Sequence, residues 1–150
     1  MAVVIVEQIA PRLGDGERAA KERDYLRMTS EERRWVRRRA TSARGREVAL
    51  ALPTGTVMHP GDILANEPRW YLEVEAAEEP VLAVRPRDRQ AALRVAFEVG
   101  NHHFPLAIKG EELLVPDDTA MVQLLNRIGE PWERIRAVFD PIAKEHRHDS

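Results

Sequence analysis

Apolar residues fall at every second position through much of the first half of the chain, and at every third or fourth position in two stretches of the second half. The first spacing is that of a half-buried strand, whose side chains alternate between faces; the second is that of a helix with one apolar stripe. Strands are therefore expected over Val3 to Val6, Arg23 to Met28, Val36 to Thr41, and along Val48, Leu50 and Leu52. A last strand carries Trp70, Leu72, Val74 and Ala76 on one face and Tyr71, Glu73 and Glu75 on the other. Thr29-Ser30-Glu31-Glu32-Arg33 reads as a capped helical turn, because a Ser or Thr hydroxyl can accept a backbone N–H there. Pro53-Thr54-Gly55 and His59-Pro60-Gly61-Asp62 read as turns. Residues 1–77 are thus expected to form an all-β domain of short antiparallel strands.

The pattern pauses at Ala77-Glu78-Glu79-Pro80 and then changes character. Val81 to Arg85 predicts a strand, and Asp88 caps a helix with Ala92, Val95, Ala96 and Val99 on one face and Gly100 as its stop. Phe104, Leu106 and Ile108 predict the next strand, with Glu112 to Val115 as its hairpin partner. Asp117 or Asp118 then caps a helix bearing Met121, Leu124, Leu125 and Ile128, closed by Gly129, before Ile135, Ala137 and Phe139 alternate in a final strand. The order β-α-β-β-α-β over residues 78–142 is the ferredoxin-like split motif, which makes the whole chain α+β. Residues 143–150 are a charged tail, expected to be flexible.

Charge and composition narrow the field. The chain has 23 basic and 25 acidic residues, a formal balance of -2 that does not point to a nucleic acid or a membrane as partner of the whole surface. No apolar run reaches the roughly 20 residues that cross a bilayer, and cysteine is absent, which fits a reducing cytoplasm. The absence of cysteine also leaves imidazole nitrogen and carboxylate oxygen as the only ligands for a transition metal.

The five histidines are therefore the informative residues. His102 and His103 stand side by side between a helix and a strand, and His146 and His148 form a His-x-His pair in the tail. Were the protein a two-fold homodimer with His103 near its axis, one residue would supply two ligands, since a symmetric interface brings each residue near its own copy. In an extended segment His102 points the other way and is a secondary donor or a surface residue. A tail histidine could close a coordination sphere and then release it. His59, in a turn beside Pro60, reads as a structural residue. Arg33, Arg34, Arg37, Arg38, Arg39, Arg44 and Arg46 form a basic run, either solvated strand faces or a docking surface for an acidic protein or, less favourably, RNA. No nucleophile with a partnered base, phosphate-binding glycine loop or HExxH spacing is present, so nothing here reads as an enzyme.

Gly100-Asn101-His102-His103-Phe104-Pro105-Leu106 resembles the Gly-Asn-Arg-His-x-x-Leu segment of the UreE family of urease accessory proteins, the nickel metallochaperones. Arg44 to Pro53 followed by Gly61-Asp62-Ile63-Leu64 is similar to that family's strand pair and Gly-Asp turn, and Leu26 to Arg33 to its early Leu-Thr-x-x-Glu-Arg stretch. The resemblance implies a peptide-binding β domain, a ferredoxin-like domain that dimerises, and nickel bound across the dimer at the position of His103. It also implies work with the GTPase that drives urease maturation and with the apo-urease complex. Two departures stand out: His102 replaces the family's arginine, and the tail has two histidines where many relatives carry a long run.

These readings lead to a cytoplasmic homodimeric nickel chaperone, with His103 as the core ligand, His146 or His148 completing the site and His102 a possible further donor. Zinc and copper would compete for the same nitrogens. Arg33, Arg34, Arg37, Arg38 and Arg39 are the expected partner-docking residues. The alternative is an RNA-associated ferredoxin-like module that uses the arginine-rich segment, which should display aromatic residues on its central strands. A histidine-metal hydrolase would need an enclosed pocket and a general base, and neither is evident.

Overall fold

The computed structural model describes residues 2–142. The chain divides into two compact units, one ending at Ala77 and the other beginning at Glu78.

The first unit comprises β1 (Val4–Val6), α1 (Asp15–Ala20), β2 (Glu22–Met28), a single 3-10 turn at Glu32–Arg34, β3 (Arg37–Thr41), β4 (Glu47–Ala51), β5 (Ile63–Asn66) and β6 (Trp70–Ala76). The strands form two sheets, ordered β1-β4-β3 and β2-β6-β5. Their inward faces meet in a core that includes Leu26, Met28, Leu50, Leu52, Met58 and Leu72. Two features depart from the expected antiparallel all-β unit. β1 runs parallel to β4 and β2 parallel to β6, and each pair is joined by the long connection that parallel strands require. The helix α1 buries no residue, so it leaves no apolar period in the sequence.

The turn after β2 forms through a reciprocal capping box: the Glu32 amide donates to Thr29 Oγ1 at 3.3 Å and the Thr29 amide to Glu32 Oε1 at 2.9 Å. The second face of β6 is also buried, with Tyr71 5% and Glu73 6% exposed. Glu73 is satisfied there by Arg18, from α1, and by Arg23 Nε at 2.6 Å.

The second unit comprises β7 (Glu78–Val84), α2 (Arg89–Asn101), β8 (Ala107–Lys109), β9 (Glu112–Pro116), α3 (Thr119–Ile128) and β10 (Trp132–Val138). The sheet order β10-β7-β9-β8, with all neighbours antiparallel, is the ferredoxin-like arrangement. The pause at Ala77 to Pro80 is not a loop, because β7 already begins at Glu78. Pro80 is tolerated because it faces only Arg136 of β10, whereas pairing with β9 starts at Val81.

The carboxylates of Asp88 and Asp118 cap α2 and α3 by accepting from the amides of Ala91 and Ala120. The two helices bury Val95, Val99, Met121, Leu124 and Leu125 against one face of the sheet. Val81, Ala83, Ala107, Leu114 and Ala137 line the other face, where Phe139 packs among them. From there the chain runs to Ile142, whose N–H donates to the carbonyl of Leu106 at 2.8 Å. The segment after β10 therefore crosses from the β10 edge to the β8 edge over the helix-free face. In β8 the expected phase is reversed: Ala107 is buried and Ile108 is 62% exposed, while Phe104 and Leu106 join the helix-side core before the strand begins.

Candidate metal centre

The sequence places a helix stop at Gly100, but α2 continues to Asn101 and is capped by His102. The residue that takes the left-handed conformation is His103, at φ 62°, the one non-glycine among the described residues with a positive φ. Its N–H donates to the Gly100 carbonyl at 3.0 Å, and the next amide, of Phe104, reaches back to the Val99 carbonyl at 3.1 Å. This pair of bonds is a Schellman motif, and Phe104 makes the accompanying apolar contact by packing into the core that contains Val99. Glycine is the usual residue at that place, because a Cβ there costs roughly 1–2 kcal/mol. His103 occupies it with an exposed side chain.

His102 is also exposed, and its Nδ1 lies 2.8 Å from the Glu98 carbonyl, leaving Nε2 as the ring nitrogen directed elsewhere. The two histidines are thus successive residues of a helix cap, not opposite faces of an extended strand. No group of three or more His, Asp or Glu side chains that could hold a metal occurs among the described residues. A site built on His103 therefore needs donors from a second copy or from beyond Ile142. Asp118 is engaged as a cap and Asp117 pairs with Arg134 at 3.3 Å. His59 belongs to a turn in the first unit, its amide donating to Asp62 Oδ2 at 2.8 Å. His146 and His148 lie outside the described residues.

Family models for the N-terminal domain of the UreE urease accessory protein and for its C-terminal domain match residues 6–77 and 79–150. The chain belongs to the UreE family. It is 40% identical over 116 residues to the urease accessory protein UreE of Ralstonia nicotianae, covering 75% of this chain and 55% of that protein. It is 34% identical over 147 residues to the UreE of Paraburkholderia xenovorans, covering 94% of this chain and 65% of that one. The UreE of a Synechococcus strain is 42% identical over 104 residues, 69% of this chain and 70% of its own length. The chain thus spans a little over half to two thirds of the length of the first two of these relatives. The UreE name describes a protein accessory to urease, not an enzyme.

The structure divides the arginine run of this UreE-family chain. Arg33 does not belong to a surface: it is 2% exposed and donates to the Met28 carbonyl at 3.0 Å. Arg38 is half-buried, paired with Glu32 at 3.3 Å and lying over the Trp35 ring. Arg44 and Arg46 are held by Glu22, and Arg46 also by Asp24 at 2.9 Å. Burial would push the Asp24 carboxyl up, but bonds from the Ser42 hydroxyl, Arg46, and the amides of Arg44 and Tyr25 outweigh it and hold the group below the usual carboxylate range. Arg34, Arg37 and Arg39 remain exposed. The aromatic platform that the RNA reading requires is missing among the described residues: the helix-free face of the ferredoxin-like sheet is buried and apolar, with Val81 and Ala83 at 0% exposure.

Proposed function

We propose that the chain is a nickel metallochaperone that captures the ion and releases it during assembly of the urease active site. His103 of two copies meets across a homodimer axis, His146 or His148 closes the coordination sphere, and His102 is a secondary donor. The observation that carries this reading is the left-handed, solvent-exposed His103, where glycine would be less strained. A conformational cost kept at an exposed position, with no packing return for the side chain, points to use of the imidazole itself.

Two neighbouring features support the arrangement. On α2, Leu93 and Phe97 are 61% and 68% exposed, and they share a helical stripe with Gly100, where an added Cβ would meet nothing within 4 Å among the described residues. A second copy laid on that stripe would cover the apolar surface and approach most closely beside His103. The Ile142–Leu106 bond also anchors the chain near His103 before the tail begins. His146 is four positions beyond Ile142, a reach of at most about 14 Å.

Nickel is chosen over zinc or copper because the family serves urease; the imidazole donors alone do not discriminate among them. Binding at an exposed site without a complete cage suits transfer more than storage. The GTPase of urease maturation and apo-urease are the proposed partners, in the cytoplasm, and no described helix is long and apolar enough to cross a membrane.

Equilibrium dialysis with nickel, combined with native mass measurement, tests the reading. His103→Ala should abolish the tightest site, and removal of the last five residues should only weaken binding or lower its stoichiometry. The reverse ranking, or a monomer binding as tightly as the dimer, overturns the assignment.

A further inference from the structure

The strand β3 is the outer strand of its sheet and, among the described residues, pairs only with β4. In that ladder the inward-bonded residues are the even ones: the Leu52 amide donates to Val36, the Ser42 amide to Arg46, and Arg38 and Ala40 lie opposite Leu50 and Val48. In an antiparallel pair the intervening residues direct their N–H and C=O groups away from the partner. Arg37, Arg39 and Thr41 therefore present a free backbone edge, and the same three residues have exposed side chains.

The charges along this edge are poorly matched within the chain. Arg37 and the preceding Arg34 have no ion pair among the described residues, and Arg39 reaches only Glu47, at 3.8 Å with both side chains more than half exposed. Elsewhere in the same unit Arg18, Arg23, Arg27, Arg44 and Arg46 are each bound to carboxylates. Next to the free edge, Trp35 is 47% and Val57 37% exposed, and the amide of Met58 donates to the Arg33 carbonyl, which keeps the segment with Val57 alongside.

We infer that β3 is a docking edge that takes an extended acidic segment of a partner protein as an added strand. Main-chain bonds to Arg37 and Arg39 would give affinity, and carboxylates at alternate positions would meet guanidinium groups spaced two residues apart on one face. Trp35 and Val57 would cover an apolar residue of the same segment. A second copy of this chain is a poor occupant, because arginine would then face arginine across the new pair. Cationic edges also protect sheets from aggregation, but protection gives no reason for the exposed Trp35 and Val57 beside the charges. The inference rests on reading Arg34, Arg37 and Arg39 as a docking surface, not on the metal site.

The test uses the full chain labelled with nitrogen-15 and the synthetic peptide acetyl-Thr-Glu-Val-Asp-Thr-Glu-Val-amide. Saturable binding should slow amide hydrogen exchange at Arg37 and Arg39 and leave Arg38 and Ala40, already bonded to β4, unchanged. The double variant Arg37→Glu with Arg39→Glu should weaken binding about tenfold, since two attractive cross-strand pairs become repulsive. The same peptide N-methylated at alternate residues should lose the protection while retaining its charge. Absence of saturable binding, unchanged exchange at Arg37 and Arg39 in the complex, or equal binding of the N-methylated peptide overturns the proposal. Nickel binding by the double variant should match the parent, so failure at this edge and failure at His103 are separate results.

Discussion

The amide of Ile142 and the carbonyl of Leu106, 2.8 Å apart, tie the chain leaving β10 to the segment that carries His103. Between these points Phe139, 2% exposed, seats the crossing segment on the helix-free face of the sheet. One core side chain thereby fixes the position of Ile142, the last described residue, and under the proposed metal site core packing would bear on ligand supply.

Phe139→Leu should therefore lower stability by about 1–2 kcal/mol in urea unfolding, by loss of contact without a full cavity. If the crossing segment directs the tail, the variant should also reproduce part of the loss in nickel affinity caused by removing the last five residues. The two changes combined should then lose less than the sum of the separate effects. Calorimetric titration of the four proteins checks this, and strict additivity would separate the tail from the crossing segment.

At His103 the proposed ligand role and the backbone make opposite demands. His103→Gly and His103→Ala both remove the imidazole and should both abolish the tightest nickel site. Glycine relieves the left-handed strain, so His103→Gly should be more stable than the parent by roughly 0.5–1 kcal/mol, whereas alanine keeps the Cβ and gains nothing comparable. Equal stability of the two variants in chemical denaturation would show that φ 62° at this position carries no cost.

How much of this was legible in the sequence depends on what kind of order each residue encodes. Helical spacing located Val95 and Val99 in α2, and Met121, Leu124 and Leu125 in α3, because a buried stripe must recur with the helix turn. Strand alternation found β2, β3, β4 and β6 but carried no information on direction, so the parallel pairings of β1 with β4 and β2 with β6 were missed. The strand β5 was hidden because Ile63 and Leu64 are both buried and a bulge separates Ile63 from Ala65. Gly100 looked like a helix stop, while the left-handed residue proved to be His103, whose conformation is fixed by Phe104 docking against the core and not by its own preference. The histidine pair could be read as chemistry from composition alone, but the strain that singles out one of the two required the backbone.

The arginine run was legible as charge but not as exposure. Arg33→Ala should destabilise the first unit by about 2–3 kcal/mol, because removing a buried side chain leaves a cavity and takes one of the two donors from the Met28 carbonyl, which keeps only the Ala77 amide. Arg34→Ala, Arg37→Ala and Arg39→Ala should each fall within about 0.5 kcal/mol of the parent, as exposed side chains without strong partners do. Thermal unfolding of the four single variants distinguishes the structural arginine from the surface ones, and a large loss at Arg37 or Arg39 would place them in the core network instead.

Asp24 should make the first unit sensitive to acid. Its carboxylate is fully buried, and its bonds to Ser42, Arg46 and the amides of Arg44 and Tyr25 hold its pKa low in the folded state despite burial. A carboxyl depressed on folding contributes stability that is complete above its unfolded value, about 3.9, and is lost as the pH falls through its folded value. Stability should thus decline as the pH drops below about 4, when the unfolded chain binds a proton that the folded chain refuses. Asp24→Asn removes the titrating group, so it should lower stability at pH 7 by about 2–3 kcal/mol and flatten the acid limb. A residual slope should persist from Glu32, which is held low first by the Thr29 amide. Urea unfolding of parent and variant at pH 7, 5 and 3.5 measures both effects; curves that remain parallel down to pH 3.5 would show that Asp24 does not govern the acid response.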